Sequence, residues 1–355
     1  MLQPLPEFAS SSWREMLRDS IVQPRDLPGR LVGQPEELSE VASRFPMKLN
    51  SYFLKLIQSA DDSIGRQVIP RQEELLDLDR DSDPLAEDLQ SPVSQVIHRY
   101  PGRVVFLVSN QCAVHCRFCM RKRRVAEPSQ VSRELIEEGI DYIGHHPQIN
   151  EVILSGGDPL MRSDVELVRI MASLRRISHV GLLRIHTRMP VVLPSRITPT
   201  LVDQLSLFHP LYLNIHVNHS AEITPDVAAA CGLMADAGIV LGSQSVLLKG
   251  INDNAKHLQE LFEALLAIRV RPYYLHQLDR VPGTAHFQVP LAHSIDLVQA
   301  LRGRLSGIAM PHLMVDLPGG GGKVALTGSS VVEKHRRVWR MRNWQGEMFD
   351  YPVGD

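Results

Sequence analysis

Aromatic side chains make up only 5% of the 355 residues, and net charge is nearly absent, with 38 basic against 40 acidic side chains. A balance of −2 excludes a protein whose main work is wrapping nucleic acid, which would carry a strongly basic surface. No run approaches the ~20 apolar residues needed to span a bilayer, and no secretory leader is expected from the residues at 1–13. No membrane association is expected, and the cytoplasm is the expected location. Only four cysteines occur, too few to staple so long a chain with disulfides. What is present, 44% hydrophobic and 22% charged residues, is the composition of an ordinary globular protein with room for a sizeable core. The expected partner is a small molecule.

Up to about residue 94 the chain reads as polar helical pieces broken by proline, at 11–20 and 36–42, followed by an acidic stretch at 72–88. No motif lies there. It reads as a packing or assembly arm and receives no chemistry. From residue 100 the pattern changes to short apolar or β-branched runs at 104–108, 152–154, 182–185, 211–217, 239–241 and 273–278. Their starts recur about every thirty residues with helical stretches between them, as expected when each strand is followed by a helix and the next strand runs parallel. Ser132 and Ser163 stand as helix N-caps. Solenoid repeats would share a residue pattern, which these units do not. The fold class is therefore α/β, a partial (β/α)6 TIM-like barrel. The expected divisions are an N-terminal helical arm at 1–95, the barrel core at 96–310 and a short C-terminal segment at 311–355. In such barrels the site lies at the C-terminal strand ends, and here each run is followed by polar or glycine-rich residues.

Three of the four cysteines, Cys112, Cys116 and Cys119, form C-x3-C-x2-C just after the first run. Three thiolates can hold three irons of a 4Fe-4S cluster and leave the fourth iron open to a ligand. The rival is a zinc site completed by His115 or His98, or a closed cluster completed by Cys231. After the second run, Ser155, Gly156, Gly157, Asp158 and Pro159 make either a plain turn or a place where backbone without Cβ atoms approaches a ligand. Pro318 is followed by four glycines and Lys323. A phosphate-binding G-x4-G-K-[ST] loop is excluded because Leu317 and Val324 hold the places of its first glycine and its Ser or Thr. Glycines that let the main chain lie against a planar ring beside one amine suit a pyridoxal phosphate Schiff base. The alternative is a bare loop with a solvated lysine.

The cysteine spacing resembles that of the radical S-adenosylmethionine (SAM) superfamily, and with the glycine-lysine loop it resembles the lysine 2,3-aminomutase family, over about residues 99–323. That resemblance implies a radical SAM barrel with a 4Fe-4S cluster, SAM and pyridoxal 5'-phosphate as cofactors. Ser155, Gly156, Gly157 and Asp158 are then placed near the methionine amino group of SAM. Arg99 and Arg103, in R-Y-P-G-R, match arginines that contact pyridoxal phosphate. Arg121 matches the arginine that grips the substrate α-carboxylate; read alone, Arg121 to Arg124 could be a basic patch. Asp279 and Asp316 match two acids that hold the side-chain ammonium, and two acids facing one pocket call for a cation between them. His216 and Gln244 are candidates for cofactor contacts, although a structural, backbone-satisfied histidine fits His216 as well. The implied activity is interconversion of L-lysine and L-β-lysine, by 1,2-migration of the amino group on pyridoxal phosphate, started by a 5'-deoxyadenosyl radical. Lys323 would be the catalytic lysine, an electron donor such as flavodoxin or ferredoxin the partner, and a homo-oligomer the assembly. A related branch makes β-lysine for elongation factor P and lacks the four consecutive glycines; arginine or ornithine is another possible substrate. From a different class, a zinc or iron-sulfur protein without catalysis is the alternative.

Overall fold

The computed structural model describes residues 12–32, 35–125, 131–326, 331–336, 338–343 and 345–352. The six apolar runs all form strands, within a sheet of nine. They are β2 (Arg103–Ser109), β3 (Glu151–Gly156), β4 (Leu182–Thr187), β5 (Leu211–His216), β6 (Val240–Leu247) and β7 (Arg271–Gln277), preceded by β1 (Val96–Tyr100) and followed by β8 (His312–Leu317) and β9 (Gly322–Ala325). Strand order follows chain order. β2 to β8 pair in parallel, while β1 and β9 close the two edges as antiparallel neighbours of β2 and β8. The parallel array is thus one strand longer than the six runs suggested, because β8 lies in the short stretch ahead of the glycines.

Helices Arg133–Gly144, Asp164–Arg175, Pro225–Asp236 and Ala255–Ala267 return the chain between strands. Ser132 and Ser163 cap the first two, each side chain accepting the N–H of the residue three further on, and Ser163 forms a capping box with Glu166. Leu167, Ile170, Met171 and Leu174 bury one stripe of the second helix, at the spacing that faces a helix to a sheet. Each such side chain contributes about 2 kcal/mol by leaving water. β10 (Val331–Lys334), β11 (Val338–Arg342) and β12 (Met348–Pro352) form a separate antiparallel sheet. No helix among the described residues is long and apolar enough to cross a membrane.

The N-terminal arm packs onto the barrel, with Val41, Phe53 and Ile57 fully buried. Buried Asn50 caps helix Ser51–Leu56 and sends its Nδ2 to the carbonyls of Ala113 (3.4 Å) and Val192 (3.0 Å). One side chain thereby ties the arm both to the cysteine loop and to the chain after β4.

Candidate active site

One cavity of about 760 Å³ occupies the barrel, from residues that begin strands, such as Arg103, Glu151 and Arg271, to the loops that follow them. Its volume is in the upper part of the range for ligand pockets. It gathers every expected site residue: Cys112, Cys116 and Cys119; Ser155, Gly156, Gly157 and Asp158; His216 and Gln244; Arg99, Arg103 and Arg121; Asp279, Asp316 and Lys323.

The arm holds the cysteine loop in place. Buried Glu74 takes Arg117 in a two-point pair (Nε–Oε1 2.8 Å, Nη2–Oε2 2.7 Å), and the backbone N–H of Arg117 donates to the Gln67 carbonyl at 2.8 Å. Among the described residues no three His, Cys, Asp or Glu side chains converge on a point where a single ion could sit. The candidates for a zinc site are engaged elsewhere: His115 Nδ1 with the Pro46 carbonyl, His98 with Tyr142 and Pro101, and Cys231 inside helix Pro225–Asp236. Three thiols on one loop, all lining the cavity, fit an iron-sulfur cluster with one iron left open. Burial pushes the Cys119 thiol up to about 11, so the thiolate form needs positive charge of the kind bound iron provides.

The loop after β3 explains its glycines. Gly156 has φ +127°, and a Cβ there would lie 2.0 Å from the Ser109 carbonyl oxygen; at Gly157 it would lie 2.5 Å from that of Gln111. No other residue lets the end of β3 press so closely against the chain leading to the cysteines. Asp158 lines the cavity wall with its carboxylate already occupied. It accepts from Leu160 N (2.9 Å), Thr187 Oγ1 (2.7 Å) and Arg188 N (2.8 Å), locking the ends of β3 and β4 together.

Arg188, among the polar residues that follow the third run, carries a role that no motif announced. Its Nη1 lies 2.7 Å from Cys116 Sγ, and its Nη2 meets Glu222 at 2.8 Å and Gln67 at 2.6 Å. Beside it, His216 stacks on Phe118 and accepts from Asn218 Nδ2 at 3.1 Å. Burial holds its imidazole well below the usual range and therefore neutral. Gln244 is the neighbour of His216 across β5 and β6.

At the opposite wall the glycine run makes the hairpin from β8 to β9. Gly320 sits at φ +82° beneath the arm, where a Cβ would fall 1.7 Å from Gln90 Nε2, and the Gly319 N–H donates to the Pro84 carbonyl at 2.8 Å. The hairpin sets Asp316 directly across from Lys323, whose Nζ reaches Asp316 Oδ2 at 2.5 Å and whose backbone N–H donates to the Tyr100 hydroxyl at 2.8 Å. Arg99 Nη1 (3.6 Å) and His276 Nδ1 (3.6 Å) also face Asp316. Burial opposes its charge, but His276 and Lys323 prevail and hold Asp316 well below the usual carboxylate range. Its Oδ1 is nevertheless buried without a hydrogen-bond partner. Asp279 is the contrasting acid: burial and the Asp316 charge push its carboxyl up to about 7. Arg121 points its guanidinium at Glu87 of the arm and places Nη1 3.3 Å from Ser155 Oγ.

A radical SAM superfamily model matches residues 106–263, and a lysine-2,3-aminomutase model matches residues 298–355. The chain is 42% identical to an L-lysine 2,3-aminomutase of Clostridium subterminale, over 96% of this chain and 84% of that one. It is 40% identical to the L-lysine 2,3-aminomutase of Acetoanaerobium sticklandii, covering 97% and 85% of the two chains. It is also 38% identical to a glutamate 2,3-aminomutase of Clostridioides difficile, covering 91% and 78%.

Proposed function

The chain belongs to the lysine 2,3-aminomutase family of radical SAM isomerases, whose cofactors are a 4Fe-4S cluster, SAM and pyridoxal phosphate, and from that premise we propose that it interconverts L-lysine and L-β-lysine. Cys112, Cys116 and Cys119 would hold the cluster, with Ser155, Gly156, Gly157 and Asp158 lining the cavity where SAM would lie beside it. His216 and Gln244, which line the same cavity, would serve as cofactor contacts. Lys323 would carry pyridoxal phosphate, with Arg99 and Arg103 as its cationic contacts. When bound, these groups would supply a carbon radical able to take a hydrogen atom and a conjugated π-system across which nitrogen can migrate. An electron donor of the flavodoxin or ferredoxin kind would provide the reducing electron.

The protein's own contribution is to stretch the amino acid between fixed charges. Arg121 grips the α-carboxylate with the planar guanidinium such a contact requires. Asp279 and Asp316 take the distal ammonium. The observation that carries this reading is the state of those two acids: one cavity holds both, Asp279 with its carboxyl pushed up to about 7 and Asp316 with a buried Oδ1 that accepts no hydrogen bond, the Arg99 guanidinium standing off at 3.6 Å. A substrate ammonium would satisfy both. The distal carboxylate of glutamate would instead meet two acids at close range, a juxtaposition that costs several kcal/mol, of order 3.

Anaerobic assay of the reconstituted protein with lysine, ornithine, arginine and glutamate tests the reading. Formation of β-lysine at a rate well above the other products supports it. Turnover of glutamate but not lysine would overturn the assignment of the aspartate pair.

A further inference from the structure

His276 shares one carboxylate oxygen with Lys323. From β7 its Nδ1 faces Asp316 Oδ2 at 3.6 Å, while Lys323 Nζ, from β9, meets the same oxygen at 2.5 Å. The Lys323 side chain is only 30% exposed, and those of His276 and Asp316 are 14% and 4% exposed. A proton leaving the Lys323 amine therefore has two acceptors at hand inside the cavity before it reaches bulk water. No element of the reading above uses His276.

We propose that His276 is the positioning residue that receives the Lys323 proton through Asp316, so that the amine can be discharged and recharged without exchange with solvent. The inference rests on the assignment of Lys323 as the pyridoxal phosphate lysine. An ammonium cannot attack the cofactor aldehyde. In the balanced step Lys323–NH3+ and neutral His276 become Lys323–NH2 and His276–H+, with Asp316 charged on both sides of the transfer. Bound pyridoxal phosphate would supply the aldehyde that the freed amine takes up with loss of water. A proton held on His276 can return to Nζ by the same route. The separation of 3.6 Å is longer than a hydrogen bond, and such contacts tighten when the site fills. The groups that bear on His276 are Asp316, Lys323 and, on its own strand, Tyr274, whose ring meets it edge-on at 5.4 Å. His186 of β4 and His216 of β5 also lie within electrostatic reach, and Arg99 acts on it through Asp316. Burial and the Lys323 charge hold the imidazole neutral at rest; once Lys323 gives up its proton that repulsion ends, and the Asp316 carboxylate favours uptake.

The test follows the rate at which added pyridoxal phosphate becomes lysine-bound on the full-length chain, read by absorbance as a function of pH. Moving a proton from Lys323 to His276 changes no net charge, so the wild-type rate, falling as pH drops from about 8.5, should flatten toward about pH 6.5. His276→Gln and His276→Phe should both keep falling about tenfold for each unit of acidification and be slower than wild type at the acid end. Binding of pyridoxamine 5'-phosphate, which cannot condense with a lysine, should be unchanged in both. A flat profile in either variant overturns the proposal, as does loss of pyridoxamine phosphate affinity in both, which would make His276 part of the cofactor seat. Lys323→Ala separates the two levels: cofactor attachment that survives this change refutes Lys323 as the attachment point and this proposal with it. Attachment lost in Lys323→Ala with unaltered His276 variants refutes only the role of His276.

Discussion

Glu87 holds Arg121 from the side, Oε1 meeting Nη2 at 2.7 Å and Oε2 meeting Nε at 3.0 Å, which leaves the end-on edge of the guanidinium for the cavity. Burial disfavours a charged Glu87, but Arg121, with Arg123 and Arg124 behind it, depresses its carboxyl below the usual value. A depressed carboxyl stabilises the fold above its unfolded value of about 4.3 and stops doing so only as pH falls below that, so the pair is intact at neutral pH. Glu87→Ala leaves a largely buried cation unpaired, a loss of about 3 kcal/mol. The expected outcome is a lower melting temperature, together with a fall of about a hundredfold in kcat/KM for lysine as Arg121 loses its orientation. Calorimetry and steady-state kinetics on the variant check both.

Asp279 gives the site a pH dependence of definite sign. Its carboxyl titrates near 7 in the protein without substrate, so it carries its full charge only at higher pH. A substrate ammonium needs that charge. KM for lysine should therefore fall as pH rises from about 6 to about 8, by up to tenfold per unit below the titration. Asp279→Asn should abolish that dependence and raise KM about a hundredfold. The same buried charge opposes folding as pH rises from about 4 through 7, so the variant should melt higher than wild type at alkaline pH.

Much of this arrangement was legible in the residues before any coordinates. The apolar runs, their period near thirty and the caps Ser132 and Ser163 are local signals, and they suffice for β2 to β7 and the helices between. The cysteine spacing and the glycine-lysine run are local too. Glu87, Glu74, Arg188 and His276 left no such trace. Each matters through a partner far along the chain: Glu87 through Arg121, Glu74 through Arg117, Arg188 through Cys116, His276 through Asp316. The acidic stretch therefore read as part of a packing or assembly arm without chemistry, although folding turns it onto the mouth of the barrel. The glycines before Lys323 were expected to lie against a planar ring; their visible work is to form the hairpin that faces Lys323 to Asp316. β8 escaped notice because its run is short and ends at once in proline and glycine.

Arg188 is placed to adjust the cluster that Cys116 would help to hold. A charge-assisted donor at 2.7 Å from a ligating sulfur favours the more negative, reduced cluster. Arg188→Met should lower its midpoint potential by on the order of 50 mV, the equivalent of roughly one kcal/mol for one electron. A potentiometric titration followed by electron paramagnetic resonance measures this without reference to turnover.

Gly156 has no substitute. Gly156→Ala would force a Cβ to 2.0 Å from the Ser109 carbonyl oxygen in a backbone conformation of φ +127°. Strain and displacement together should cost at least about 2 kcal/mol. A thermal melt should show the loss, and the iron content after reconstitution should fall because Ser109 leads into the cysteine loop.

An amino acid seated by Arg121, Asp279 and Asp316 would share one chamber with SAM at the cysteine loop. Turnover of lysine carrying deuterium at C3 reports on that shared chamber, with the isotope followed by mass spectrometry. The expected result is deuterium at the 5' carbon of recovered SAM and at C2 of β-lysine. Conversion of lysine with no deuterium in the cofactor would contradict the account.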